Sequence, residues 1–373
     1  MDALTTPSNW QRVRLGDIGK PCMCKRVMKH QTTRYGEIPF YKIGTFGNTA
    51  DAFISKKLFL EYKTKYSFPK KGDILISASG TIGRAVIYDG KPAYFQDSNI
   101  VWIDNDETLV KNDFLFYAYS NVKWDTEHTT ILRLYNDNFR NTLIPLPPLN
   151  EQIAIANILS DVDHYLYSLD ALILKKEGVK KALSFELLSQ RKRLKGFNQA
   201  WQRVRLGDIA NYLTSNLSAE QITEQGKIKV YDVNNFIGYT NTTFISDKPY
   251  ISIVKDGSVG RVRILPPKTN ILSTMGALIA NHKTTTEFLL YLLSNFDFKN
   301  FTSGSIIPHI YFKDYKEKTI FLPPLNEQIA IANILSDVDS EIISLKNKKR
   351  QFENIKKALN HDLMSAKIRV LKK

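Results

Sequence analysis

Apolar positions along this 373-residue chain follow two alternating patterns. Over about residues 10 to 146, and again over about 201 to 322, short apolar and β-branched runs are closed off by Gly, Asp or Asn: GDILISAS, RAVIYDG, NIVWI, KVYDV and YISIVKDG. Runs of this kind predict strands ended by turns. FLFYAYSN at 114–121 and FLLYLLSN at 288–295 predict one short helix in each region. The period then changes. Ile155, Ile158, Val162, Tyr165, Leu169, Leu172, Val179 and Leu183 recur three, four or seven apart, and so do Ile331, Leu335, Val338, Ile342, Leu345, Phe352, Leu359 and Leu363. Each stripe predicts one long amphipathic helix.

Both helices begin after a Pro-Pro pair, with Asn150 and Asn326 as N-caps and Glu151 and Glu327 in the first turn, where the helix dipole favours acids. Their patterns run to about Lys195 and Arg369, roughly 45 residues or about 65–70 Å each. Gly178 is the weak point, costing about 1 kcal/mol relative to alanine, and is where a kink would be most easily accommodated. Neither stripe can stay in water. Packing the helices against each other, antiparallel about a pseudo-twofold axis, buries both; the alternative folds each helix back on its own globule.

The second long pattern is a copy of the first. PPLNEQIAIANILSDVD at 147–163 returns without change at 323–339, and WQRVRLGDI at 10–18 returns at 201–209, a displacement of 191. That displacement still aligns Gly47 with Gly238, then falls to 177 where SGTIGR at 79–84 meets DGSVGR at 256–261. The first copy therefore holds fourteen extra residues nearby, assigned to LFLEYKTKYSFPKK. The whole chain is two copies of one unit, and the copies diverge unevenly. The helix starts are identical, whereas the globules share scaffold positions and differ in most others. Identical surfaces suit two copies of one partner; divergent ones on a shared scaffold suit two different targets.

Composition narrows the partner. The chain carries 52 Lys and Arg against 37 Asp and Glu, a net charge of +15, and an excess this large suits a polyanion, because each phosphate neutralised releases a counterion. No run of eighteen apolar residues and no signal-like start is present, so a cytoplasmic protein without membrane contact is expected. Cys22 and Cys24 are too close for an easy mutual disulfide and read as reduced thiols.

The ordered set WQRVRLGDI, KGDILISASGTIGR and IPLPPLNEQIAIANIL, with its second copies, resembles the specificity subunit of type I restriction-modification systems over essentially the whole chain. The resemblance implies an α+β architecture: target-recognition domains at 1–146 and 197–322, each mixed α/β, each followed by a long spacer helix, at 147–196 and 323–373, the helices pairing as an antiparallel coiled coil with pseudo-twofold symmetry. It also implies a non-catalytic subunit. Each recognition domain would read one half of an asymmetric, bipartite site in double-stranded DNA, and the helices would set the gap. The repeated regions would hold two methyltransferase subunits, through which restriction subunits join. S-adenosylmethionine, ATP and Mg2+ are then expected only in those partners, and no cofactor or metal in this chain.

Arginine reads guanine and Asn or Gln reads adenine, while Lys, Ser, Thr and backbone amides contact phosphate. Two turns combine glycines, a hydroxyl and a cation: Gly80 to Arg84 with Thr81, and Gly257 to Arg261 with Ser258. Each reads either as a phosphate cradle or as a tight hairpin. The segments Thr129 to Asn136, with Arg133 and Asn136, and Ser303 to Tyr311, with Ser303, Ser305 and His309, face DNA in relatives that the chain resembles. Lys42, Thr45, Asn48, Asn234, Asn235 and Tyr239 complete the candidate DNA contacts. For methyltransferase binding the candidates are Glu151, Gln152, Asn157, Glu327, Gln328 and Asn333, with Gln152 and Asn157 expected to face outward. KKEGVKK at 175–181, RKRLK at 191–195 and KNKKR at 346–350 read as solvated helix faces or as tracks along phosphates.

Two other classes remain. Asp51 with Glu61, Tyr62 and Lys63 can be forced onto a nuclease pattern, and no nucleotide-binding or adenine-methyltransferase signature is present. A stand-alone DNA-binding regulator would use the same two readers without a methyltransferase.

Overall fold

The structure, a computed structural model, describes residues 9–125 and 133–370. It divides into two units: Met1–Leu169 with Lys348–Lys373, and Asp170–Asn347. In the first unit, strand Gln11–Arg14 pairs antiparallel with Leu143–Leu146. A four-stranded sheet follows in the order Gly19–Met23, Ile100–Asn105, Ile74–Ser77, Ala85–Ile87. A third sheet sets Ile38–Tyr41 between antiparallel Phe53–Ile54 and parallel Tyr94–Phe95. The second unit repeats all three: Gln202–Arg205 with Thr319–Leu322; Ala210–Thr214, Met275–Ala280, Tyr250–Val254 and Val262–Leu265; and Ile228–Tyr231 between Phe236–Thr240 and Asn270–Ile271. Every run singled out in the sequence contributes to a strand, because such residues suit a pleated, buried surface.

The short helices form as expected at Asn112–Tyr119 and Thr286–Ser294, the second capped by Thr285, whose hydroxyl accepts from Phe288 N at 3.1 Å. The first copy's extra residues form helix Lys56–Lys65, capped by Ser55. It is held by Phe59 against Phe68, whose ring in turn meets Tyr88 edge-on.

The long helices run Leu149–Leu188 and Leu325–Met364, 40 residues each and therefore about 60 Å long. They end several residues short of the expected limits. They also start two residues early, with Pro148 and Pro324 in the cap position: Pro148 O accepts from Gln152 N and Pro324 O from Gln328 N. Asn150 and Asn326 thus lie inside the first turn, each side chain accepting from the next backbone N–H at 2.9 Å. The first helix runs unbroken through Gly178.

The two helices pack against each other antiparallel. In the first unit Tyr165 meets Phe352, ring centroids 4.6 Å apart, and Asp163 pairs with Lys356. In the second unit Lys176 pairs with Glu341 at 2.7 Å, Lys346 with Glu177 at 2.6 Å, and Lys180 with Asp339. Several lysines of the basic clusters are therefore occupied within the seam. Leu172 and Val179, counted in the stripe, are 39% and 47% exposed, and Ile173 is buried instead; a seam of only two helices is too narrow to cover every apolar position.

Pairing and folding back turn out to coexist. Ile155 and Leu159, with Leu363 and Met364 from the end of the second helix, belong to the core of Leu15, Phe114 and Phe139. Ile331 and Leu335, with Leu187 from the end of the first, belong to the core of Leu206, Phe288 and Tyr315. A tyrosine ties each globule to the seam: Tyr117 donates to Asp163 at 2.8 Å and Tyr291 to Asp339 at 3.0 Å. Burial, then the neighbouring carboxylate, pushes both phenols far above their ordinary range.

Candidate nucleic-acid interface

In each unit the glycine turn sits at one edge of the four-stranded sheet. Gly80 and Gly83 take φ of 68° and 81°, Gly257 and Gly260 φ of 83° and 81°, a region that only glycine enters without strain. The two members of each pair have different reasons to be glycine. A Cβ on Gly83 would lie 2.0 Å from Trp124 Nε1, and one on Gly260 would lie 2.6 Å from Phe298, so these two make room for an aromatic ring, not for a phosphate. Around Gly257 a Cβ would meet nothing within 4 Å, and around Gly80 only Ile43 at 3.9 Å. These two, beside exposed Thr81 and Ser258, are the open part of the turn.

The cations of the turns are exposed and aimed. Arg84 Nη2 donates to Gly47 O at 3.3 Å, which joins the glycine turn to the Lys42–Asn48 turn, itself closed by hydrogen bonds among Lys42, Thr45 and Asn48. Arg261 Nη2 donates to Asn234 Oδ1 at 2.8 Å, doing the same in the second unit. Each guanidinium has five N–H donors, so most remain for a ligand. Lys42 is paired with Asp51 at 2.9 Å.

The segments expected to face DNA also reach these turns. Arg133 forms a β-bridge with Ser79, and its Nη2 donates to Ser98 Oγ and Asn99 Oδ1 at 3.1 and 3.2 Å. Its counterpart His309 bridges to Asp256, with Nδ1 at 2.7 Å from Asp256 Oδ1. Residues 129–132 of the first segment lie outside the described residues. Asn136 is exposed at the start of helix Asn136–Asn141, and Ser303 and Ser305 are exposed. Asn235 donates its backbone N–H to Asp232. Tyr239 goes elsewhere: its backbone bridges to Thr223 and its ring packs edge-on to Phe236. Ser98, Asn99 and Asp256 join the sites without having been singled out, because they act through residues distant in sequence.

The repeated helix start turns some of its side chains inward and others outward. Glu151, Gln152, Glu327 and Gln328 are all buried, so the outward placement of Gln152 is overturned. Glu151 accepts from Trp10 Nε1 at 3.1 Å and from Arg369 Nε and Nη2 at 2.7 and 2.9 Å. Glu327 accepts from Trp201 at 2.9 Å and from both Arg193 nitrogens at 2.8 Å. Gln152 bonds Leu109 O, Pro147 O and Lys111 N; Gln328 bonds Lys283 O, Pro323 O, Thr284 and Thr285 N. These side chains fasten each globule to its helices. Arg193, read as part of a solvated cluster, is one of the fasteners. What the repeat turns outward is Asn157 with Leu149 and Ile153, and Asn333 with Leu325 and Ile329, the four apolar side chains being 39–48% exposed.

The nuclease pattern finds its carboxylates engaged: Asp51 with Lys42, Glu61 with Lys65 at 3.1 Å, while the Lys63 ammonium sits over the Phe59 and Phe68 rings. Cys22 and Cys24 are unbridged, and burial pushes the Cys24 thiol up to about 12. No helix among the described residues is long and apolar enough to cross a membrane.

The family model of the type I restriction modification DNA specificity domain matches this chain twice, at residues 7–176 and 198–354. The chain belongs to that family. Its two matches divide the chain as the repeat does, each taking one globule and most of the helix after it. A putative type I restriction enzyme specificity subunit of Haemophilus influenzae is 64% identical over 148 residues, 39% of this chain and 38% of that protein. The putative MjaX specificity subunit of Methanocaldococcus jannaschii is 29% identical over 98% of this chain and 95% of its own length. Among solved structures, the type I restriction-modification S subunit from M. genitalium matches 98% of this chain and 99% of its own with a TM-score of 0.62 at 19% identity, a likeness of fold. This chain thus carries two DNA specificity domains, each match running into a long helix.

Proposed function

We propose that this chain is the DNA-reading subunit of a type I restriction-modification complex, with one recognition domain for each half of a bipartite, asymmetric site. The observation that carries the reading is a pair of equivalent but unlike sites: the start of the turn that carries Arg84 is bridged at Ser79 by Arg133 in one unit, and the start of the turn that carries Arg261 is bridged at Asp256 by His309 in the other. One scaffold with different side chains at one place is what reading two different half-sites requires. The chain acts without catalysis of its own, in the cytoplasm where the DNA is. The two long helices set the number of unread base pairs.

Two methyltransferase subunits dock on the repeated helix starts, through Asn157 with Leu149 and Ile153 and through Asn333 with Leu325 and Ile329. Identity there supports one partner bound twice. S-adenosylmethionine belongs to those subunits, and ATP and Mg2+ to the restriction subunits they recruit. Co-expression with an adenine methyltransferase from the same operon, size measurement and methylome sequencing test this together. The expected outcome is a complex with two methyltransferase copies and methylation of one bipartite motif. A chain that stays alone yet binds DNA would be a regulator, and the proposal would fail.

A further inference from the structure

In the second unit Ser303–His309 forms a tied-down loop with a bare apolar tip. Ser303 and His309 exchange both backbone hydrogen bonds, at 2.9 and 2.7 Å. Gly304 turns the chain at φ 92°, where a Cβ would lie 2.3 Å from Ile307 O. Pro308 O accepts from Gly257 N at 2.9 Å, and His309 reaches Asp256, so the loop is fastened to the glycine turn that carries Arg261. Yet Ile306 is 92% exposed and Ile307 54% exposed. A single exposed isoleucine needs no explanation. Two adjacent ones on a loop held at four points are different: the backbone freedom has been given up in advance, and β-branching leaves each side chain few rotamers. The loop presents a small apolar group already in place.

Its surroundings say what that group can meet. Ser258, Ser303 and Ser305 hydroxyls and the Arg261 guanidinium lie on the same loop and the turn it is fastened to, all exposed and all suited to phosphate or base edges. An apolar point of two side chains among such donors is too small for a protein interface and fits a small apolar feature on a polyanion. Duplex DNA offers one in its major groove, the C5-methyl of thymine. We infer that Ile306, backed by Ile307, recognises a thymine by its methyl group in the half-site read by the second unit. This rests on the DNA-reading function proposed above.

The test uses the full chain in complex with its methyltransferase, and duplexes carrying the motif found by methylome sequencing with each thymine replaced in turn by deoxyuridine, which removes only the methyl. At one position the replacement is expected to weaken binding about fourfold, the transfer cost of one methyl group. In Ile306→Ala the same replacement should cost less than about half of that on the same scale, with melting temperature unchanged because the side chain touches little. Two results overturn the inference: no thymine in that half-site, or an equal penalty for deoxyuridine in both proteins; in the second case an Ile306→Ala chain that binds both duplexes more weakly by the same factor would mark a wedge between bases. A wild-type complex with no sequence preference at all would instead sink the DNA-reading function itself.

Discussion

Glu151 and Glu327 each gather a tryptophan N–H and a two-pronged arginine around one buried carboxylate. Removing the carboxylate leaves the buried tryptophan N–H without an acceptor and the partly exposed arginine without its partner. Glu327→Ala is expected to cost about 2–3 kcal/mol, below the penalty for a fully buried pair because the arginine keeps some contact with water. Urea denaturation followed by Trp fluorescence measures it. The glycine turns separate two effects in the same way. Gly260→Ala should destabilise by more than about 2 kcal/mol, strain plus collision with Phe298, whereas Gly257→Ala should cost only the strain, about 1–2 kcal/mol. Arg84→Ala should weaken DNA binding at every sequence and lower the salt slope by about one, as loss of a single phosphate contact does. The glycine turns stood out by residue type and spacing, whereas Arg133 and His309 were reached only through the resemblance to the family. The buried role of Gln152 did not, because its partners Leu109 and Pro147 bond through backbone carbonyls, which leave no trace in side-chain patterns. A signal for the arginine clasp did exist, since Arg193 and Arg369 are separated by 176, the same displacement that relates the two helix starts.

At the level of elements, strands and short helices were read correctly from period and turn residues because each is decided locally. The long helices were located well and their ends overestimated. Lys195 and Arg369 continue the favourable composition, but Gln190 and Ala366 adopt positive φ just past Leu188 and Met364 and turn the chain back toward the globules. Gly178 is an avoidable weakness: it lies inside a continuous helix, and a methyl added there would meet nothing within 4 Å. Gly178→Ala should therefore stabilise the protein by about 0.5–1 kcal/mol, read as a shift of the urea midpoint at unchanged slope. The cross-seam pairs Lys176–Glu341 and Lys346–Glu177 stay largely in contact with water. Each contributes at most about 1 kcal/mol, so the seam owes its stability to Tyr165, Phe352 and the buried aliphatics.

At the scale of the whole molecule, the duplication announced the architecture more clearly than any single motif, and the net charge of +15 pointed to the kind of target. What no pattern announced was how the segments are shared out. The second unit is one uninterrupted stretch, Asp170–Asn347, whereas the first needs Lys348–Lys373 as well as everything up to Leu169. Leu363, Met364 and Arg369 are part of its core and its clasp. During synthesis the leading lobe must therefore wait for the tail to leave the ribosome, while the middle of the chain can finish first. A chain stopped after Asn347 is expected to keep slow amide exchange around Phe288 and Tyr315 and to lose it around Phe114 and Phe139, an ordering of birth and maturation that runs opposite to the direction of translation.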